Sequence, residues 1–107
     1  MSSGATDVVA WWVSVAATDA EAAEEKLKVY GSRDLTAIGD DLAAIAGWDD
    51  CPDKVKAELG VAFYLRGKVA RMMGAYCAHT LPSDDTWHDA SCYTMMARRI
   101  RAEGEWE

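Results

Sequence analysis

Apolar residues recur at alternating spacings of three and four along most of the chain, which is the period of an α-helix with one buried side. The first stripe follows Thr6, a residue type that caps helices, and predicts a long first helix to about residue 30. An alternative break lies near Thr18, where Thr-Asp-Ala-Glu forms a capping-box pattern. The stripe consists of Val9, Val13, Ala16, Ala20, Ala23, Leu27 and Tyr30, and Gly31 is predicted to end the helix.

Three further stripes are separated by glycine and proline, so the sequence predicts helices from Ser32 to Gly47, from about 53 to about 79, and from Ser83 to Gly104. Short connections favour antiparallel neighbours. Residues 1–107 therefore predict a single all-α domain, an antiparallel bundle of about four helices. The stripes are Leu35, Ile38, Leu42 and Ile45; then Val55, Leu59, Ala62, Val69, Met73 and Tyr76; then Asp89, Tyr93, Met96 and Ile100.

Two features indicate close packing beyond these stripes. Gly60, Gly67 and Gly74 recur every seven residues, which predicts a close approach of another helix to that side. The first helix carries a second apolar stripe with Val8, Val15 and the adjacent residues Trp11 and Trp12. This stripe indicates either a helix central in the bundle or a homodimer interface at Trp11 and Trp12, since tryptophan is enriched at interfaces.

The charge and the cysteines narrow the class of protein. A formal net charge of −7 disfavours binding to nucleic acid, because the phosphate backbone is repelled. Three cysteines without a C-x-x-C pair argue for a reducing compartment, and we expect a cytoplasmic protein. The apolar run Val8–Ala17 is too short to span a bilayer, so no membrane role is expected.

The most informative polar residue is Asp89, because it shares a stripe with Tyr93, Met96 and Ile100. A carboxylate turned toward the core needs a cation, hydrogen bonds or a metal. One interpretation is a phosphate site in which Lys68 and Arg71 hold phosphate oxygens. Asp85 and Asp89 would then bind Mg²⁺ as catalytic carboxylates. The other interpretation is a structural ion pair between Asp89 and Lys68 or Arg71.

Weaker candidates lie elsewhere. Glu24, Glu25 and Glu58 are additional carboxylates that could reach a metal, although a solvated helix face is the simplest explanation of the first two. His88 and Cys92 stand four residues apart, and Cys77 and His79 close the preceding helix, so a zinc site is an alternative to core and capping roles. Nothing in the sequence indicates a nucleophilic triad.

Three segments carry a resemblance to known proteins. They are Lys-Val-Tyr-Gly-Ser-Arg-Asp-Leu (28–35), Glu-Leu-Gly-Val-Ala-Phe-Tyr-Leu-Arg-Gly-Lys-Val-Ala-Arg (58–71) and Pro-Ser-Asp-Asp-Thr-Trp-His-Asp (82–89) with Tyr93. Together they look like small helical proteins of actinobacteria and their phages. They are also similar to phage nucleotide-modification-associated helical domains, and the second half distantly resembles MazG-like all-α nucleotide pyrophosphohydrolases.

The resemblance implies that Lys68, Arg71, Asp85 and Asp89 form one nucleotide-related site in a dimer. MazG-like enzymes hold Mg²⁺ with E-x-x-E on one helix and E-x-x-D on the next, whereas this chain has basic residues and then D-x-x-x-D. We therefore expect nucleotide or phosphate binding, with Mg²⁺-dependent hydrolysis of a nucleoside triphosphate as its enzymatic form. The alternative is a non-enzymatic phage protein that binds a host or phage protein through its acidic and tryptophan-rich surfaces.

Overall fold

Helices account for most of the described chain. The computed structural model describes residues 4–25 and 31–106. It contains α1 (Gly4–Glu21), α2 (Ser32–Ala46), α3 (Asp53–Cys77) and α4 (Asp84–Glu103). No strand occurs in these ranges, so the all-α prediction is confirmed.

The helix ends follow the capping residues in most places. The Ser83 hydroxyl accepts a hydrogen bond from the backbone N–H of Thr86 at 3.3 Å. Gly47 and Gly104 end their helices with φ of 73° and 86°, the left-handed conformation that glycine adopts readily. Gly31 was predicted to end the first helix. Its backbone is extended instead, and it is the N-cap residue of α2.

The first helix is shorter than predicted. It ends at Glu21, and the N–H of Ala22 bonds to the carbonyl of Asp19 in a turn. The Thr18 hydroxyl donates back to the carbonyl of Ser14 at 3.2 Å, so it does not cap a new helix. The predicted stripe positions at 27 and 30 lie outside the described residues.

Two glycines set the contact between α2 and α3. A Cβ on Gly39 would overlap the backbone carbonyl of Lys56, and a Cβ on Gly60 would overlap the carbonyl of Leu35. Each helix thus contributes one glycine against the other's backbone. Gly67 and Gly74 have open space at the Cβ position, so the seven-residue spacing predicted a close approach correctly only at Gly60.

The core lies where α2, α3 and α4 meet. Its largest fully buried side chains are Leu35, Val61, Tyr93, Met96 and Ile100. The apolar stripe predicted for α4 is therefore confirmed at Tyr93, Met96 and Ile100.

The stripes predicted for α2 and α3 are partly wrong. On α2 the buried residues are Leu35, Gly39 and Ala43, whereas Ile45 is 84% exposed. On α3 the buried residues are Ala57, Gly60, Val61 and Met72, and the expected Ala62, Val69, Met73 and Tyr76 are exposed. The physical reason is the register of the backbone contact. Leu35 meets Gly60 and Gly39 meets Lys56, so Ile45 and the later turns of α3 lie beyond the contact between the two helices.

The first helix lies outside this core. None of the residues of α1 is buried, and Trp11 and Trp12 are each 67% exposed. The molecule measures 56 × 36 × 25 Å. Its Cα radius of gyration is 16.3 Å, whereas a domain of about 100 residues typically has about 13 Å. No described helix combines the length and the apolar character that a bilayer crossing requires.

Two ion pairs tie the helices together at their surfaces. The Lys56 Nζ atom lies 2.8 Å from an Asp40 carboxylate oxygen, which joins α3 to α2. Arg101 donates from Nε and a terminal nitrogen to the two carboxylate oxygens of Glu58, at 2.9 and 2.8 Å. The hydrogen bond to Asp40 raises the pKa of Lys56 above its ordinary value of 10.5.

The glycine contact makes a prediction with a matched control. Gly39→Ala should lower the free energy of unfolding by about 1–3 kcal/mol or more, because the added methyl group overlaps backbone that cannot rotate away. Gly67→Ala should raise it by about 0.5–1 kcal/mol, because alanine is favoured over glycine in an open helix position. Urea unfolding of both variants measures these changes. Equal effects would contradict the close approach.

The Lys56–Asp40 pair makes a prediction about pH. A raised pKa in the folded state gives a stability contribution that is complete below about 10.5 and is lost as the pH rises through the folded-state pKa. Urea midpoints of the wild type and Asp40→Asn should therefore differ more at neutral pH than at a pH of about 11.5, which is above the ordinary lysine pKa. A difference that does not shrink would contradict the assigned cause.

Candidate functional site

The structure brings together two of the residues proposed for the phosphate site. The Nζ atom of Lys68 on α3 lies 3.0 Å from an Asp89 carboxylate oxygen on α4, with side chains 17% and 28% exposed. Asp89 reaches α3 because it stands one turn before the buried Tyr93 on the same stripe. The ion pair that the sequence allowed is therefore present, half-buried at the edge of the core.

A cationic cavity of about 480 Å³ opens beside this pair. Arg66, Lys68 and Arg71 line it, together with three aromatic residues. The aromatic residues are Phe63, Tyr64 and Tyr93, and the rings of Tyr64 and Tyr93 stack at 5.8 Å with an interplanar angle of 9°. Arg66 was not part of the site proposed from sequence, although its position two residues before Lys68 made it a neighbour.

Asp85 has different surroundings from Asp89. Its side chain is exposed and lines the opposite groove, beside His88 and facing α1. The carboxylate of Glu58 is held by Arg101, and Glu24 and Glu25 are exposed near the turn after α1. Within the described residues, no group of three or more His, Cys, Asp or Glu side chains is arranged so that it could hold a metal ion. The magnesium site stays a prediction.

A larger groove of about 990 Å³ separates α1 from α4. Its walls are mainly apolar, and four of the five tryptophans of the chain contribute to them. Large side chains on these walls include Trp11, Trp12, Trp87, Met95, Met96 and Trp106. Cavities of this size and character commonly bind small apolar ligands.

Three polar side chains meet on one wall of the groove. His88 Nδ1 lies 2.5 Å from a carboxylate oxygen of Asp19 on α1. His88 Nε2 lies 3.7 Å from the Sγ atom of Cys92, one turn further along α4. Asp19, His88 and Cys92 all line the groove, and Cys92 is only 7% exposed.

The sequence showed only part of this group. His88 and Cys92 stand four residues apart on a helix, a spacing that places them on one face. The contribution of Asp19 depends on where α1 crosses α4, which local patterning does not determine. Sequence patterning did not indicate a nucleophilic triad, whereas the structure places a thiol, an imidazole and a carboxylate in mutual contact. Cys77 and His79, considered with them for zinc, are both exposed at the end of α3.

No family model, curated protein or solved structure matches this chain. The resemblance to nucleotide-related phage proteins stays a prediction. Function is therefore inferred from the residues that line the cavity and the groove.

Proposed function

We propose that this chain binds a phosphate-bearing small molecule, and a nucleotide in particular, in the cavity on α3 beside α4. The observation that carries the proposal is the pair of guanidinium groups on Arg66 and Arg71 at this cavity. Neither group makes an ion pair with a carboxylate in the described ranges, whereas Lys68 is paired with Asp89. Two cations thus remain available to phosphate oxygens.

The charge of the cavity supports phosphate binding, although the net charge of the protein is negative. The protein carries a net charge of −7, yet the cavity has three cationic side chains and one adjacent carboxylate. Guanidinium groups bind phosphate oxygens in a planar, two-point geometry. A single small anion can use this patch, whereas a long nucleic acid would also meet the acidic remainder of the surface.

The aromatic residues favour a nucleotide over inorganic phosphate. Phe63 is 49% exposed beside Tyr64, and their rings meet edge to face at 5.8 Å. An exposed aromatic ring next to cations can stack a base while the cations hold its phosphates, and such stacking contributes about 1–3 kcal/mol.

The geometry supports binding more than hydrolysis. In the enzymatic form of the hypothesis, Asp85 and Asp89 would hold Mg²⁺ and orient water. One Asp89 oxygen is 3.0 Å from Lys68, however, and Asp85 lines the other groove. A nucleotide pyrophosphohydrolase activity thus has less support than nucleotide binding alone.

Calorimetric titration with ATP, adenosine and pyrophosphate tests the proposal. The double variant Arg66→Ala/Arg71→Ala should weaken ATP binding at least tenfold, because a hydrogen bond to a charged group contributes about 1.5–3 kcal/mol. Asp89→Asn should tighten binding, since it removes a negative charge and releases Lys68. Arg33→Ala, on exposed α2 surface, is the matched control and should bind like the wild type.

ATP should bind more tightly than either of its parts. Adding Mg²⁺ and following phosphate release distinguishes a binding protein from a hydrolase. Unchanged affinity in the double variant, or no detectable binding of any of the three ligands, would contradict the proposed site.

A second candidate function, protein interaction, is favoured by the exposure of α1. None of its side chains is buried, and Val9 and Val13 are 61% and 64% exposed. Contiguous exposed apolar surface of this kind marks interaction sites in soluble proteins.

The partner we propose for this surface is a second copy of the chain. Val8–Ala17 has no charged residue, and the helix is about 27 Å long, so two copies of α1 can pair along an uncharged strip. In an antiparallel pair, the acidic end with Asp19 and Glu21 would lie beside the positive N-terminal end of the other helix. Such an interface is self-complementary, as twofold dimers require.

Sedimentation equilibrium over a range of concentrations tests the dimer. Trp11→Ala/Trp12→Ala should raise the dissociation constant at least thirtyfold, since interface tryptophans commonly contribute about 2 kcal/mol or more. Trp48→Ala is the matched control, because Trp48 is exposed in the loop after α2. A wild type that is monomeric at every concentration would overturn the dimer and leave a host or phage protein as the occupant of α1.

Two further predictions belong to this proposal. The antiparallel arrangement of α3 and α4 is supported by two ion pairs. Glu58–Arg101 joins the start of α3 to the end of α4, and Lys68–Asp89 joins the second half of α3 to the start of α4. The cytoplasmic location is supported by the free thiols of Cys51, Cys77 and Cys92.

A further inference from the structure

We propose that Cys92 is a nucleophilic thiol that accepts an acyl group from an apolar thioester, with His88 as its base and Asp19 as the positioning residue. The proposal rests on the three aligned side chains and on the apolar groove that they line. It concerns a different side of α4 from the phosphate cavity and does not depend on it.

The hydrogen-bond order determines the roles. A carboxylate can only accept a hydrogen bond, so Asp19 accepts the proton on His88 Nδ1 across 2.5 Å. The other ring nitrogen, Nε2, is then left with its lone pair toward Cys92 Sγ, 3.7 Å away. This is the arrangement in which an imidazole can take a thiol proton.

The three side chains come from two helices. His88 and Cys92 share one face of α4 because they are four residues apart, whereas Asp19 stands at the C-terminal end of α1. A buried cysteine among apolar neighbours alone is normally inert. The imidazole and carboxylate at Cys92 are what separate it from Cys51, which is also buried.

The groove determines the class of substrate. It is about 990 Å³ in volume, and its large lining residues near the thiol include Trp87, Met95 and Met96. An aliphatic acyl chain would be covered by these side chains, and its carbonyl would lie at the polar wall. The titratable and charged side chains that line the same groove are Asp19 from α1 and Asp84, Asp85, His88 and Arg99 from α4.

The reaction is a balanced thioester exchange. The Cys92 thiol gives its proton to His88 Nε2, and the sulfur attacks the carbonyl carbon of the substrate thioester. The new carbon–sulfur bond forms, the bond to the leaving sulfur breaks, and His88 returns the proton to the leaving thiolate. The products are S-acyl Cys92 and one free thiol, with no change of oxidation state.

The chain contains its own controls for the test. The full chain is incubated at high dilution with the octanoyl thioester of N-acetylcysteamine, and peptide mass spectrometry follows the acylation of each cysteine over time. Cys77 is exposed and Cys51 is buried without a histidine partner in the described residues. We expect Cys92 to be acylated about tenfold faster than Cys77, although accessibility alone would favour Cys77. The acetyl thioester should show a smaller preference.

Two substitutions separate activation from simple burial. His88→Gln and Asp19→Asn should each slow acylation of Cys92 about tenfold or more, within the range that general base catalysis contributes. The rate at Cys77 should not change, and Asp7→Asn, also on α1, should behave like the wild type.

The same data report on folding, because an unfolded variant would label its cysteines at similar rates. If His88→Gln is unfolded, His88→Asn is the second variant that removes the proposed base. Faster labelling of Cys77 than of Cys92 in the wild type, or an unchanged Cys92 rate in a folded His88 variant, would overturn the proposal.

Discussion

The backbone contact between α2 and α3 is the constraint on which the rest of the structure depends. Gly39 and Gly60 each leave the space that the other helix's backbone occupies. This contact decides which side of α3 is buried, and α4 then packs on Val61 through Tyr93, Met96 and Ile100. Because α2, α3 and α4 bury one another's side chains in this way, α1 has no place in the core.

The buried stripe of α4 also explains why the two candidate sites lie on different sides of it. His88 and Asp89 are adjacent in sequence, so their side chains point about 100° apart around the helix. Asp89 therefore meets Lys68 on α3, while His88 meets Asp19 on α1. Two sides of α4 thus line the cationic cavity and the apolar groove. Residues of the cavity can be substituted without changing those of the groove.

Sequence patterning predicted the helices, the caps at Ser83, Gly47 and Gly104, and the buried side of α4. It also offered Lys68 and Arg71 as partners for Asp89, because a short connection joins the two helices, and the structure shows the pair with Lys68.

The errors have two physical origins. Hydrophobic stripes do not show the register in which two helices meet. Gly39 opposes Lys56 and Gly60 opposes Leu35, so Ile45 and Val69 lie beyond this contact and are exposed. The Asp19–His88 contact depends on the tertiary position of α1, and no periodicity predicts it.

The central claim is that α1 stands outside the core and offers its apolar side to a ligand or partner. Hydrogen–deuterium exchange of the dilute wild type tests this claim most directly. An 18-residue helix without buried side chains is of marginal stability by itself. We therefore expect the amides of α1 to exchange orders of magnitude faster than those of α3 and α4. Protection of α1 equal to that of α3 in the monomer would contradict the account.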